Sequence, residues 1–277
     1  MKKVNWRAYL EFAKKSFQEQ IAYRSDLVIR VIALFFSFYL LTIFWTALYG
    51  NAATTEQAVE GIPLSSMITY AILSAVTGGL LNVFGILQVY ISYWMSRKMR
   101  TGEIISDMLK PTDFQFYLLA HSLGRLVFNL IFSIPIVLVA FLIFELDPPT
   151  SREALGLFVL SLSGGYLLLF LIDFLISLSA FWTTQTRGIG GMTRLVVALL
   201  SGSFVPLWFF PDWAKGTLTY LPFASIYHTP LSIYIGRIAE ADAMQAISVQ
   251  VVWIVLLFIL SRIIWQRSRQ KLMIHGG

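Results

Sequence analysis

The run Leu155-Gly-Leu-Phe-Val-Leu-Ser-Leu-Ser-Gly-Gly-Tyr-Leu-Leu-Leu-Phe-Leu-Ile-Asp-Phe-Leu-Ile-Ser-Leu-Ser-Ala-Phe-Trp182 decides the fold, because its only charged residue is Asp173. A helix of roughly 20 apolar residues crosses a bilayer. The run lacks the alternation of a barrel strand, and an open strand would leave backbone groups unpaired in hydrocarbon. Five further windows read the same way: Leu27–Tyr49, Met67–Tyr90, Leu123–Phe144, Leu195–Phe210 and Ile247–Trp265. The fifth in chain order, Leu195–Phe210, is short, and Pro206 marks its expected break. The predicted fold is therefore all-α: a polytopic membrane protein with six transmembrane helices.

Composition agrees. Of 277 residues, 57% are hydrophobic and 13% charged, where a soluble domain carries about 25% charged residues. Too little charge remains to cover a globular surface in water. Aromatics at 15% exclude disorder, and the absence of cysteine removes disulfides, thiolate metal sites and cysteine nucleophiles. The first apolar run begins behind a charged stretch too long for a signal peptide's leading region, so no cleavable signal is read.

Charge sets the orientation. Even-numbered spans put both termini on one side, with the second and fourth connections. That side holds 18 Lys and Arg residues, among them Lys14, Lys15, Arg97, Lys98, Arg100, Lys110 and Arg262. The other holds three, Arg152, Lys215 and Arg237, against acids such as Glu56, Glu145, Asp147 and Asp212. The positive-inside rule makes both termini cytoplasmic. Trp45, Trp208 and Trp213 fall at outer ends and Trp94, Trp182 and Trp265 at inner ends, where an aromatic belt belongs.

Three segments are not simple spans. Residues 1–26 hold Trp6, Leu10, Ala13, Phe17 and Ile21 at helical spacing, a basic amphipathic helix expected in the inner headgroup layer. It serves as an anchor or as a lever moved by a cytoplasmic partner. Gly102 and Pro111 bracket a short helix over about 101–110, with Ile104, Ile105, Met108 and Leu109 on one face and Glu103 and Asp107 on another. An apolar face on that side must be covered, and the two acids favour a partner's groove over an anionic leaflet. Residues 206–235 combine Pro206, Pro211, Pro222 and Pro230 with many aromatics. They read as short helices dipping into the outer leaflet, too broken for a span. Residues 266–277 read as a basic tail.

Catalytic motifs are weak. Ser163-Gly164-Gly165 lies inside a span, where Ser161 and Gly165 at i, i+4 suit close helix packing. Gly188, Gly190 and Gly191 are followed by no Gly-Lys-Ser/Thr, so ATP hydrolysis is not expected of this chain. His121, His228 and His275 sit in separate segments, so no metal site is read. Asp173 is the one intramembrane charge: either a functional carboxylate or one hydrogen-bonded to a neighbour, through Ser177 or a hydroxyl on another helix.

The order of these parts resembles ABC-2 type permeases. Tyr23-Arg24-Ser25-Asp26 leads into span one and Phe44-Trp45-Thr46-Ala47-Leu48-Tyr49 leaves it. Arg100-Thr101-Gly102-Glu103 precedes Leu109-Lys110-Pro111, and Ala180-Phe181-Trp182-Thr183 closes span four. Ser201-Gly202, Pro206-Leu207, Pro211-Asp212-Trp213 and Leu221-Pro222-Phe223 follow. The wording is similar to a bacterial subgroup, once grouped as a domain of unknown function, described as viologen-exporter-like or multidrug permeases. The resemblance implies a six-span permease over 27–265 in the bacterial inner membrane, half of an ATP-driven exporter rather than an enzyme. It implies a second permease subunit, the same chain or a paralogue, and cytoplasmic ABC ATPase subunits that bind the ATP and Mg; this chain binds no cofactor and no nucleic acid. It assigns ATPase coupling to Arg100, Gly102, Glu103, Ile104, Asp107, Met108 and Leu109. The substrate pathway would be lined by Phe38, Trp45, Asn82, Phe84, Phe204 and Trp208, suiting a hydrophobic or amphiphilic cargo. The outer re-entrant gate would comprise Pro206, Pro211, Trp213 and Pro222. The alternative is a secondary carrier without an ATPase, which would show an inverted repeat and several intramembrane charges.

Overall fold

The computed structural model describes residues 6–22, 25–50, 61–78, 87, 89, 91–181 and 187–275. Among these are eleven α-helices and no strand: α1 Trp6–Ala22, α2 Ser25–Tyr49, α3 Leu64–Thr77, α4 Ile91–Thr101, α5 Ile104–Met108, α6 Phe114–Phe144, α7 Arg152–Leu178, α8 Arg187–Leu200, α9 Asp212–Thr219, α10 His228–Tyr234 and α11 Glu240–His275.

Four helical stretches are long and apolar enough to cross a membrane: Val28–Tyr49, Phe114–Phe144, Arg152–Phe181 and Glu240–Ser268. The second and fifth windows differ from expectation. α3 and α8 have 14 residues each, a rise of about 21 Å against a hydrocarbon core of about 30 Å. α3 stops at Thr77 because Gly78 takes φ +121° and its N–H returns to the Ser74 carbonyl. α8 stops at Leu200, before the expected break at Pro206, because Gly202 turns the chain at φ +74°. That turn is held from α3, where the Tyr70 hydroxyl donates to the Gly202 carbonyl at 2.8 Å and Ser74 Oγ to the Ser203 carbonyl at 2.9 Å. At the C-terminus, the residues expected as a tail continue α11 as far as His275.

Helix starts are capped locally where the sequence supplies a short acceptor. Asp113 accepts from the Gln115 and Phe116 N–H groups to begin α6, and Ser151 accepts from Ala154 N–H to begin α7. Small residues then permit close packing. Gly124 on α6 lies against the Ala13 backbone of α1, Gly165 on α7 against the Ile226 carbonyl, and Gly164 against the Gln250 amide of α11. Gln250 is buried and donates through Nε2 to the Ser161 and Ser225 carbonyls at 2.7 and 2.8 Å. Gly164 and Gly165 of the Ser-Gly-Gly run thus form a packing surface, while Ser163 is exposed and donates to Val159 of its own helix.

α1 does more than lie flat. Phe12 meets Tyr117 edge-on at 4.7 Å, Phe17 meets Phe128 at 5.8 Å, and the Tyr9 hydroxyl accepts from Asp113 N–H at 3.0 Å. Trp6, Leu10 and Ile21 face outward. One apolar core joins α2, α3, α7, α10 and the Leu207–Phe209 turn; a second gathers Met95, Phe114, Tyr117, Phe174 and Trp265 at the basic end.

Candidate functional site

The basic end is built around one carboxylate. Gly102, at φ +74°, turns the chain between α4 and α5, and this swings Asp107 back under α4. Lys98 Nζ and Lys110 Nζ both donate to Asp107, the latter at 2.6 Å, and the Tyr117 hydroxyl donates at 3.2 Å. Each ammonium also lies over a ring: Lys98 is 4.6 Å from Trp94, and Lys110 is 4.2 Å from Tyr117 and 5.2 Å from Phe12. Burial alone would raise the Asp107 pKa, but the hydrogen bonds and charges of Lys110 and Lys98 outweigh it and hold the carboxyl below its ordinary value.

This geometry divides the predicted coupling residues. Asp107 and Ile104 face inward, 5% and 2% exposed, so they share no outer face with Glu103 and Ile105. The reason is electrostatic: an acid beside two lysines on neighbouring elements is drawn into them. Ile105 and Leu109 stand out, 58% and 78% exposed and one turn apart. Arg100, Gly102 and Glu103 are exposed beside them, and Met108 is half-buried. The surface this helix offers is an apolar pair edged by one base and one acid.

Of the two partners expected for Asp173, a hydroxyl on another helix is found, Ser92 of α4, and Ser177 is not. Ser177 Oγ donates within its own helix to the Phe174 carbonyl at 2.6 Å. Asp173 instead accepts from Ile91 N–H at 2.6 Å, Ser92 N–H at 3.2 Å and Ser92 Oγ at 2.7 Å. It sits at the N-terminus of α4.

Towards the acidic end an open cleft of about 380 Å³ is lined by Trp45, Met67, Tyr70, Phe204, Pro206 and neighbouring side chains of α2 and α3. Trp45 stacks on Phe209 at 5.5 Å and 24°. Of the predicted pathway residues, Trp45 and Phe204 line this cleft. Trp208 is buried behind it, edge-on to Tyr70 at 4.9 Å and 5.3 Å from the His228 ring. Phe38 is wholly buried between Phe35 and Phe144, away from any opening. Asn82 and Phe84 lie outside the described residues. Among the gate residues, Pro206 and Pro222 are buried, while Pro211 precedes α9 at the surface and Trp213 is 82% exposed. The segment is fastened by His228 N–H to the Ser201 carbonyl at 2.9 Å and by Trp253 Nε1 to the Tyr220 carbonyl at 2.8 Å.

Sequence reasoning missed several contributors. Arg262 of α11 grips the Asp113 cap at 2.7 and 2.9 Å, and Gln115 Nε2 donates to Ser261 Oγ at 2.8 Å, joining α11 to the basic end. An Asp directly before an apolar helix is a capping signal that points to Asp113; no local pattern points to Arg262. Tyr70 and Gln250 were hidden inside apolar windows. Among the described residues no three His, Cys, Asp or Glu side chains come together as a metal site.

No curated protein and no solved structure matches the chain. A family described as ABC-2 family transporter protein matches residues 31–276, nearly the whole of this all-helical, membrane-crossing fold. The chain belongs to the ABC-2 transporter family, as a membrane permease of an ABC exporter.

Proposed function

We propose that the chain is one half of the translocation pathway of an ATP-driven exporter, with the α4–α5 end docking on a separate cytoplasmic ATPase that binds the ATP and Mg. The observation that carries this is the exposed Ile105 and Leu109 pair on a helix whose base is fixed by Lys98, Asp107 and Lys110. An apolar pair fits a partner's groove, and a fixed base lets force pass into the bundle instead of bending the loop. α5 with Gly102, Glu103 and Arg100 is the coupling element. α3 and α4 form one interrupted crossing, the residues from Pro206 to Tyr234 form an outer re-entrant gate, and both termini face the cytoplasm of a bacterial inner membrane. The cleft beside Trp45 and Phe204 belongs to the route between this subunit and a second permease subunit. Its apolar and aromatic lining suits a hydrophobic or amphiphilic cargo. Closure of the ATPases pushes α5, rocks the α3–α4 crossing against α2 and α8, and opens the cleft outward.

The test is co-purification in nanodiscs and transport in sealed vesicles with an ABC ATPase of the same genome. Leu109→Asp combined with Ile105→Asp is expected to abolish co-purification and stimulated ATP hydrolysis while leaving the melting temperature of the isolated permease unchanged. Full hydrophobic-dye transport by the double variant, or by the chain alone under a proton gradient, would refute the reading in favour of a secondary carrier.

A further inference from the structure

α4 is capped unlike its neighbours. α6 and α7 take their caps from the preceding residue, Asp113 and Ser151, and these local caps are in turn held from α11 by Arg262 and Glu240. The residue before α4 in the sequence is Tyr90, which has no short acceptor side chain. Its first N–H groups are met from α7, 82 residues away in the chain, by Asp173. Both carboxylate oxygens are used: Oδ2 accepts from the Ile91 and Ser92 N–H groups and Oδ1 from Ser92 Oγ. A carboxylate is favoured at a helix N-terminus by the orphan donors and by the dipole. A cap supplied by another helix also tethers.

The other end of α4 runs into the coupling segment. Lys98 holds Asp107 of α5, and Lys110 completes the grip from beyond it. α4 has 11 residues, a rod of about 16 Å, held at one end by α7 and at the other by α5. We infer that Asp173 is a positioning residue for coupling: it pins the N-terminus of α4 to α7, so that displacement of the coupling segment becomes rotation of α4 about a fixed point instead of sliding along the bundle. This rests on the proposed exporter reading for its cargo step but not for the pin itself.

The experiment uses the chain with its ATPase, in nanodiscs for exchange and in sealed vesicles for transport, with two readouts. Hydrogen exchange of peptides covering 89–101 reads the pin. Hydrophobic dye moved per ATP hydrolysed reads coupling. Asp173→Ala is expected to release protection at Ile91 and Ser92 while α6 peptides stay protected. It should lower dye moved per ATP about tenfold with basal hydrolysis within about twofold of the parent. Asp173→Asn, which keeps an acceptor oxygen of nearly the same shape, should restore at least about half of the ratio. Unchanged exchange at 89–101 in Asp173→Ala, or an unchanged transport ratio, overturns the inference. Hydrolysis and complex assembly falling in step with transport overturns it too, since that is a general structural loss. Where Asp173→Ala does not fold, Ser92→Ala removes only the Oγ bond and should lower the ratio about threefold; an unchanged ratio overturns the inference. A parent chain that never couples to an ATPase defeats the exporter reading, while exchange at 89–101 still tests the pin.

Discussion

Gly124 lies so close to Ala13 that a Cβ on it would stand 2.0 Å from the Ala13 carbonyl oxygen. The contact fixes α1 along α6, with Phe12 on Tyr117 and Phe17 on Phe128 to either side. Gly124→Ala cannot be absorbed by a side chain turning, because the atom in the way is backbone. It is expected to push α1 off α6 and to cost about 1–3 kcal/mol, read as a lower melting temperature in detergent and faster proteolysis of the N-terminal segment. Gly156→Ala, in a helix where nothing lies within 4 Å, is the control: it should leave proteolysis unchanged and the melting temperature equal or slightly raised.

Asp107 carries a prediction about pH. Its folded pKa lies below the ordinary carboxylate value because Lys110 and Lys98 outweigh the burial that would raise it. A group depressed on folding contributes stability that is complete above its unfolded pKa, about 4, and is lost only as pH falls through the lower folded value. The grip on α5 should therefore be constant from pH 8 to pH 5. At pH 7 Asp107→Asn should cost about 2 kcal/mol, seen as a fall in melting temperature. A parent melting curve that already weakens between pH 7 and pH 5 through this site would contradict the assignment.

The four full-length helices were legible because apolar length is a property of composition, and composition is what a sequence window measures. The interruption at Thr77 was not. Residues 67–90 carry no charge, and their hydropathy alone does not show that α3 ends at Thr77. The first turn of α4 depends on Asp173, far away in the chain, for which local reading offers a hydroxyl on another helix without singling out Ser92. The expected break at Pro206 erred for a related reason. Proline announces itself, whereas the actual turn at Gly202 is fixed by Tyr70 and Ser74 from another helix. At the basic end, facial periodicity put Asp107 beside Glu103; Lys98, which draws it inward, acts from α4 and leaves no periodic trace, while Lys110 adds a local i,i+3 partner.

Trp45 and Phe209 form the one nearly parallel stack beside the cleft, 5.5 Å apart. Phe38, by contrast, touches only the interior. The two residues should thus separate in assay. Trp45→Ala is expected to change dye transport per folded molecule and its competition by bulky aromatic cations, beside a stability loss of about 3–5 kcal/mol. Phe38→Ala should act through stability, costing about 3–5 kcal/mol and lowering the amount of folded protein while transport per folded molecule stays the same. Equal changes in cargo preference from both would place the cleft outside the route.

Gly164 and Gln250 meet where α7 crosses α11. A Cβ at Gly164 would stand 2.7 Å from the Gln250 amide carbon, and that amide is held from both sides by its bonds to the Ser161 and Ser225 carbonyls. Gly164→Ala must therefore break those bonds or part the helices, and Gln250→Ala removes them outright. Interhelical hydrogen bonds in lipid contribute about 0.6–2 kcal/mol, so each single change should lower thermal stability measurably. Together they should not add. Once the Gln250 amide is gone, the Cβ at position 164 occupies the space it vacates, and the double variant should be no less stable than Gln250→Ala alone. A strictly additive double-variant cycle, measured by thermal unfolding in one detergent, would show that the two residues do not share this contact.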